Sequence, residues 1–578
     1  MTATEIRQKH EHASTYLNTD SDIEIRTTNT STTHQTTDTL PIDQYINNKE
    51  NKSIPALPTI TNNTARTVET YSNIDDNNPE HVYSMYPDEQ NLRKEVTRAS
   101  EVASSLNLPE NFEIFLEDND PENLANNFSL TRKYYITILV SATSMIITIL
   151  SSCWTFVSPK VMEKFHLGHE VGVLGISLFI FGLGVGPLFL SPLSELYGRK
   201  PTFILSLFML ICWEILTAWS KTYAGIMLGR FLSGFFGSAF LSVAGGVLTD
   251  ILSRSEITIP MMIYSLSPFL GPAIGPILGA AFYHDDYEWT FVVLLIATGV
   301  SFVLLIVTLP ETYKPLLLIK KAKRIRTETG DERYYAPLEI SRKETSILSA
   351  VLLSVKRPFG LLLFDPMMGV LCFYTGLELA IVYLFFVAFP YIYKKLYRMT
   401  PAEIGCTYLG LAVGMIIIAP TTFILQKRYL QRVKDNDGKS VPEFRFEPLF
   451  YGAFLSPMGL MIFAWTCYSH VHWIGSIIGA GVFGSGVFYI FNGVFGYTVD
   501  AYRLYAATGM ACNSFVRSFM SGVFPLFGLQ MYERMGINWA GFFLSCLNIL
   551  MIPVPFLFNK YGAYLRSKSP YSWDDEDT

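Results

Sequence analysis

Residues 259–282 read IPMMIYSLSPFLGPAIGPILGAAF. The stretch carries no charged side chain and is long enough to cross a bilayer as a helix, which needs roughly 20 apolar residues. Pro260, Pro268, Pro272 and Pro276 punctuate it, while Gly271, Gly275 and Gly279 recur at every fourth position. In water such a helix would fail, because each proline removes a backbone donor and presses on the preceding turn. Within a membrane bundle neighbouring helices satisfy the freed groups, and a face of glycines lets a second backbone approach closely. The stretch therefore predicts a kinked, tightly packed span inside a bundle of spans.

The composition of the whole chain agrees. Of 578 residues, 50% are hydrophobic and 16% charged, well under the ~25% charge usual in soluble proteins. The apolar residues concentrate after Tyr134, whereas residues 1 to about 125 are rich in Thr, Ser, Asn, Asp and Glu, a composition that does not support a packed core. The opening MTATEIRQKHEHAS has no apolar h-region, so no cleaved signal peptide is expected. The sequons at Asn29, Asn51, Asn62 and Asn127 all precede the first span, and in a cytosolic tail they are chance matches. The seven cysteines fall within or beside apolar runs without metal-ligand spacing, which reads as buried free thiols.

Hydropathy predicts twelve spans, near 134–156, 171–193, 201–219, 224–244, 259–282, 290–309, 367–390, 404–425, 449–468, 474–497, 506–528 and 538–559. The longest loop, residues 311–365, divides six from six and includes KKAKRIRTETGDERYY. The expected organisation is a cytoplasmic, mostly disordered tail over 1–133 and a six-helix bundle over 134–310. A central cytoplasmic loop follows over 311–366, then a second six-helix bundle over 367–559 and a cytoplasmic tail over 560–578. Lys and Arg crowd alternate loops, notably Arg199, Lys200 and Arg254, eleven residues from Lys314 to Arg357, and Lys427 to Arg445. That bias places both termini in the cytoplasm.

No GxxxxGK[ST], HExxH or GxSxG pattern occurs, which leaves an enzyme or nucleotide-motor reading without a constellation. His470 and His472 have no carboxylate or thiolate beside them and read as an exposed loop pair rather than a metal set. No cofactor, metal or nucleic acid is expected. Chemistry falls instead to charges inside spans, which are functional candidates by default. Arg230 lies in LGRFLSGFFG, either deep or at the boundary where it would snorkel. Glu378, in FYTGLELAIVYLFF, follows Tyr374 by one turn, and burial there would favour the neutral acid and let it hold and release a proton. Glu214 lies toward one end of its span and is expected to reach water. Asn513 and Arg517 share a helical face at i and i+4. Tyr374, Tyr383, Phe488 and Asn492 sit among glycines and aromatics that would build a pocket for flat or cationic molecules. In SPLSELYGRKPTF, Gly198 permits a tight reversal, Arg199 and Lys200 anchor it, and Glu195 stands one turn earlier.

These motifs together resemble the major facilitator superfamily, specifically the twelve-span drug:proton antiporters of fungi, in the group of yeast multidrug and polyamine exporters and Candida-type multidrug permeases. Leu193, Gly198, Arg199 and Lys200 are similar to the loop signature GxLaDrxGRk, with Glu195 in place of Asp and Ser191 and Leu196 departing from it. Arg230 and Gly234 match the span-four pattern, with Ser233 where Gln is common. Gly271, Pro272 and Gly275 match the span-five GPxxG of antiporters. DNDPEN before span one, PETY at 310–313, PEFRF at 442–446, and Asp500-Ala501-Tyr502 and Asn513 with Arg517 around span eleven also match.

The resemblance implies an all-α fold of two six-helix bundles and proton-coupled export of drug-like or cationic molecules by a monomer of the plasma membrane. Polyamines, azoles, cycloheximide and weak organic acids are among the cargoes it suggests, and a nutrient uniporter or symporter is the alternative. It gives Arg230 a role in proton coupling, with Glu195 and Arg199 as a cytoplasmic latch. Gly271-Pro272 would seal the seam between the bundles. Glu378 matches no family motif and rests on the physical argument alone.

Overall fold

The computed structural model describes residues 114–115, 120, 123–253, 256–331, 333–336, 339, 347–436, 440–502 and 505–569. The expected disordered tail up to residue 113 lies outside the described residues, with its sequons at Asn29, Asn51 and Asn62. So do Arg254, Lys439, most of DNDPEN and the C-terminal residues from 570.

Among the described residues, twelve helices of the two bundles succeed one another. They are α1 (Leu130–Phe165), α2 (His169–Tyr197), α3 (Arg199–Trp219), α4 (Tyr223–Ile251), α5 (Thr258–Ala281) and α6 (Glu288–Thr308), then α7 (Pro366–Tyr397), α8 (Pro401–Asp435), α9 (Pro442–Thr466), α10 (Ile474–Tyr502), α11 (Ala506–Met535) and α12 (Ile537–Ser567). Eleven of them are long and apolar enough to cross a membrane. The exception, α11, has the length at 30 residues, but Asn513, Ser514, Arg517, Ser518 and Ser521 lower the hydropathy of its middle. Large side chains face outward bare, among them Val307 at 76%, Ile417 at 69% and Ile296 at 61% exposure, as contact with lipid tails requires and water would penalise. Below, the near side is the side where α1 begins and α12 ends; the far side is the opposite one.

All twelve helices belong to one compact unit of residues 123–314 and 347–569. The expected loop 311–365 is helical over Lys314–Thr329 and Ile347–Phe364. The second of these helices packs on α2 and α11, with Phe359 against Phe515 at 5.1 Å. A smaller unit joins the stretch before α1 to the first loop helix. There Lys321, 7% exposed, donates to Phe115 O at 2.7 Å and Asp120 Oδ2 at 2.5 Å, and Ile114 N donates to Tyr335 O.

Irregular helices are held by side-chain hydroxyls. In α1, Ser144, Thr148 and Ser151 donate to the carbonyls of Val140, Met145 and Thr148 at 3.0, 3.0 and 2.7 Å, a pattern that bends helices, and the helix breaks at Cys153. Breaks at Ser238 and Val243 interrupt α4. The Tyr264 phenol of α5 satisfies the Phe240 and Leu241 carbonyls there, both at 3.1 Å.

The glycine face of α5 meets α1. A Cβ on Gly271 or Gly275 would lie 2.7 Å from the Met145 or Ile149 carbonyl oxygen, and one on Gly279 would lie 2.6 Å from that of Cys153. The close approach foreseen from the glycine period is thus real, but its partner is a helix of the same bundle rather than the seam. Toward the second bundle α5 presents, among others, Pro276, Ile277 and Ala280, all 2.9–3.2 Å from a Cβ built on Gly405 of α8. In the second bundle, Gly479, Gly486 and Gly493 of α10 press on α9, while Gly481 and Gly484 press on α8.

The thiols divide. Cys153, Cys372, Cys467 and Cys512 are buried as expected, but Cys212 and Cys406 are exposed and Cys546 is half-buried, since a thiol is apolar enough to face lipid.

Overpacking at the α1–α5 contact is expected to cost about 1–3 kcal/mol. Gly271→Val and Gly275→Val should each lower the melting temperature of the purified protein in detergent. Gly299→Val, whose Cβ would meet nothing within 4 Å, should leave it unchanged. Identical melting for all three would refute this packing.

Candidate functional site

Arg230 stands two turns inside the far end of α4 and is 1% exposed, so it does not snorkel. Its guanidinium donates to Leu150 O at 2.7 Å, Ser151 O at 3.1 Å and Gly175 O at 3.1 Å. Trp154 and Phe179 flank it with ring centroids at 5.1 and 4.5 Å. Two of the three oxygens lie just before the break at Cys153, so one buried cation staples α1 to α2 and α4. A buried charge is tolerable only with such partners.

Ser151, whose carbonyl Arg230 holds, turns its hydroxyl to Tyr383 Oη on α7 at 3.0 Å. This bond crosses from the first bundle to the second. The seam continues at mid-membrane with Phe181 against Phe519 at 5.5 Å and toward the far side with Gln530 donating to Glu170 at 2.6 Å. At mid-membrane Phe269 of α5 meets Phe488 and Phe491 of α10 edge-on at 6.2 and 4.9 Å. The named seam contacts therefore run from mid-membrane to the far side.

Several expected pocket residues converge here. Arg517 is half-buried on α11, its guanidinium 5.4 and 5.7 Å from the Phe491 and Phe495 rings. Asn513, one turn earlier, donates to Thr375 Oγ1 at 2.7 Å and leaves its own carbonyl oxygen buried without a partner. Asn492 donates back to Phe488 O at 3.2 Å. Tyr383 and the fully buried Phe488 complete the group. Tyr374 does not join it; at 1% exposure it packs in the near-half core with Phe446, Tyr497 and Tyr502. Tyr264, Phe269 and Ser151 were not singled out from sequence, although the first two lie in the stretch quoted at the outset.

Neither intramembrane acid faces this space. Both Glu378 oxygens lie 2.8–2.9 Å from Ser456 Oγ of α9, to which Asn548 of α12 donates at 2.7 Å. Glu214 is 1% exposed, so the expectation that it reaches water fails. It accepts from Thr298 of α6 at 3.4 Å, and its other oxygen is buried without a partner.

On the near side Gly198 ends α2 at φ +104°, a left-handed conformation that favours glycine. Arg199 bonds Ser194 Oγ at 3.1 Å and pairs with Asp250 at the end of α4 at 3.4 Å, with Tyr313 beneath it at 5.0 Å. The carboxylate of Glu311 accepts from the amides of Arg199 and Lys200 at 2.9 and 3.2 Å, capping α3 where a helix N-terminus favours an anion. Lys200 Nζ reaches Ile306 O at 3.1 Å. Glu195 stands exposed nearby. Asp250 and Glu311 thus join Glu195, Gly198, Arg199 and Lys200, the residues expected from sequence at this loop; acids closing apolar runs were the available signal. Nearby, Lys133 in the first turn of α1 donates to Glu256, which lies between α4 and α5 outside the spans, at 2.7 Å and holds that carboxyl below the ordinary 4.5. A groove of about 520 Å³ between α3 and α6, lined by Lys200, Ile204, Leu205, Phe208 and Phe302, lies on the outer face of these helices, apart from Arg230 and Arg517.

Two six-helix bundles that meet around one buried polar centre define a secondary transporter. The chain belongs to the Major Facilitator Superfamily, whose family profile matches residues 137–525. It is 64% identical over 456 residues to "Probable drug/proton antiporter YHK8" of Saccharomyces cerevisiae, covering 79% of this chain and 89% of that one. It is 43% identical over 423 residues to "Efflux pump atB" of Aspergillus terreus, covering 72% and 87%. Among solved structures it resembles the xylose transporter XylE from E. coli, with a TM-score of 0.52, 12% identity, and 74% of this chain and 99% of that one covered. That likeness is one of fold.

Removing the seam hydroxyl in Tyr383→Phe should cost the closed far side about 0.5–1.5 kcal/mol, roughly a two- to tenfold shift toward far-side opening. Labelling of a cysteine placed at Gln530 by a membrane-impermeant thiol reagent reads this directly. Labelling at the parental rate would show that the bond does not hold the seam.

Proposed function

We propose that the chain is a proton-coupled exporter of drug-like molecules that works by alternating access as a monomer in the plasma membrane. The Lys and Arg bias of its loops supports a cytoplasmic near side, with both termini there. Residues 134–310 and 367–559 are the two bundles that rock about the seam, and 311–366 links them. The observation that carries this reading is the junction of Arg230, Ser151 and Tyr383. It ties the most deeply held charge of the first bundle to a contact that must break when the far side opens.

An arginine keeps its charge throughout such a cycle, so the proton is carried elsewhere. Glu378, which has a serine hydroxyl and no cation beside it among the described residues, is the candidate in the second bundle. Glu214, in the field of Arg230, is its counterpart in the first. Protonation changes the charge of a bundle interior, and coupling requires that proton and cargo affinities both differ between the two states of the carrier. The near-side set of Gly198, Arg199, Lys200, Asp250 and Glu311, with Glu195 beside it, would hold α2, α3 and α4 together while the bundle turns as a body. Gly271, Pro272 and Gly275 serve the same end by keeping α5 on α1.

The relatives' names, a drug/proton antiporter and an efflux pump, support export over nutrient uptake. Azoles, cycloheximide and polyamines are the first cargoes to assay. In cells lacking the endogenous gene, Arg230→Ala should abolish the dependence of drug efflux on external acidity while the protein still reaches the surface. Arg230→Lys, which cannot span three carbonyls in the same way, should retain only a fraction of it. Full proton-dependent efflux by Arg230→Ala would refute the coupling role.

A further inference from the structure

Ser158, Ser191, Ser267 and Ser456 each precede a proline inside α1, α2, α5 and α9, and Thr400 precedes Pro401 at the far-side start of α8. Ser569, before Pro570, differs from these in lying beyond the last helix, on the near side. Its amide donates to Arg566 O at 2.9 Å, and its hydroxyl donates to Asp365 Oδ2 at 2.5 Å. Asp365, 1% exposed, caps α7 by accepting from the Met367 and Met368 amides through Oδ1 at 3.0 and 3.1 Å. Its Oδ2 also accepts from the Tyr502 phenol at the end of α10 at 2.8 Å. Donors on both oxygens suit an ionised carboxylate, which only accepts. In the last turn of α12, Arg566 pairs with Glu443 at the start of α9. The near ends of α7, α9, α10 and α12 thus meet at the close of α12, and the tie to α7 runs through one hydroxyl.

We propose that Ser569 is a phosphorylation site whose modification undocks the C-terminal end of the chain from α7. The reagent is ATP, brought by a protein kinase that requires proline after its serine. The Ser569 oxygen bonds to the γ-phosphorus, the bond to the β,γ-bridging oxygen breaks and ADP leaves, and the hydroxyl proton passes to the kinase's catalytic base. Ser569 is only half-buried, and the proline after it biases its backbone toward an extended form, so the chain end can lift away and present the hydroxyl. The product carries about −2 charge where the hydroxyl had offered a proton to a buried carboxylate. It has no hydrogen left to donate, and Asp365 repels it. The amides at the start of α7 are already taken by Asp365 Oδ1 and give the phosphate no substitute. This rests on the cytoplasmic near side inferred above, since ATP and kinases work there.

The test uses purified full-length protein, both sides of which are accessible, with a recombinant mitogen-activated protein kinase and magnesium ATP. Tandem mass spectrometry should find phosphate on Ser569 and none at that position in Ser569→Ala. Hydrogen exchange of the amides in 365–369 and 560–569 should then quicken about tenfold or more, and Ser569→Glu should reproduce part of this. In Asp365→Asn, which keeps a capping side chain without its charge, the same phosphate should quicken exchange by less than about threefold. Wild type before and after the kinase needs no variant, so misfolding of Asp365→Asn leaves that comparison decisive. No phosphate on Ser569, or phosphate there with exchange unchanged, overturns the proposal and leaves the exporter reading standing. Phosphorylation of Ser569 by kinase and ATP added outside sealed right-side-out vesicles would put the near side outside, and counts against the topology and the proposal together.

Discussion

One guanidinium organises the first bundle. Arg230 could not stay charged at its depth unless backbone carbonyls replaced the lost water, and those carbonyls come from α1 and α2. The consequence runs both ways. The break in α1 at Cys153 lies where its carbonyls are held from the side, and α4 is fixed at the height where its arginine reaches them. Because Ser151 carries one of these carbonyls and also the hydroxyl that meets Tyr383, the internal order of one bundle and its contact with the other share a residue.

Around that centre the helices are pressed together through glycine. Gly182 of α2 and Gly234 of α4 each sit against the other helix's backbone, and Gly271, Gly275 and Gly279 bring α5 onto α1. In lipid there is no hydrophobic drive between helices, so close van der Waals contact is what remains to hold them. The seam is built differently. It relies on rings and a few hydrogen bonds, which can be exchanged without rebuilding a bundle.

Much of this was legible in the sequence because membrane helices announce themselves by length and apolarity. The span hardest to see was α11, since the residues that give it chemistry, Asn513 and Arg517 among them, also dilute its hydropathy. Glycine spacing foretold a close contact on α5 but could not name α1 as the partner, because a periodic face carries no address. The same limit applies to Tyr374, whose position in an aromatic span did not reveal that it faces a packed core. Glu214 looked near enough to its helix end to find water, and only the position of α6 closes it off. Asp250 and Glu311 lie 51 and 112 residues from Arg199, a separation that no local pattern bridges.

The glycines of α10 have one more implication. Gly479, Gly486 and Gly493 commit one side of this helix to α9 along its whole length. The other side changes tenants half-way, from Gly481 and Gly484 on α8 to Phe488, Phe491 and Phe495 facing Phe269 and Arg517. Among the packed positions of α10, side-chain volume can therefore vary mainly along the ring-bearing half of one side, apart from outward-facing residues such as Ile478, 55% exposed. A lineage of carriers built on this scaffold would have to diversify its cargo through those few ring positions, because a larger residue at most other places would push neighbouring backbones apart.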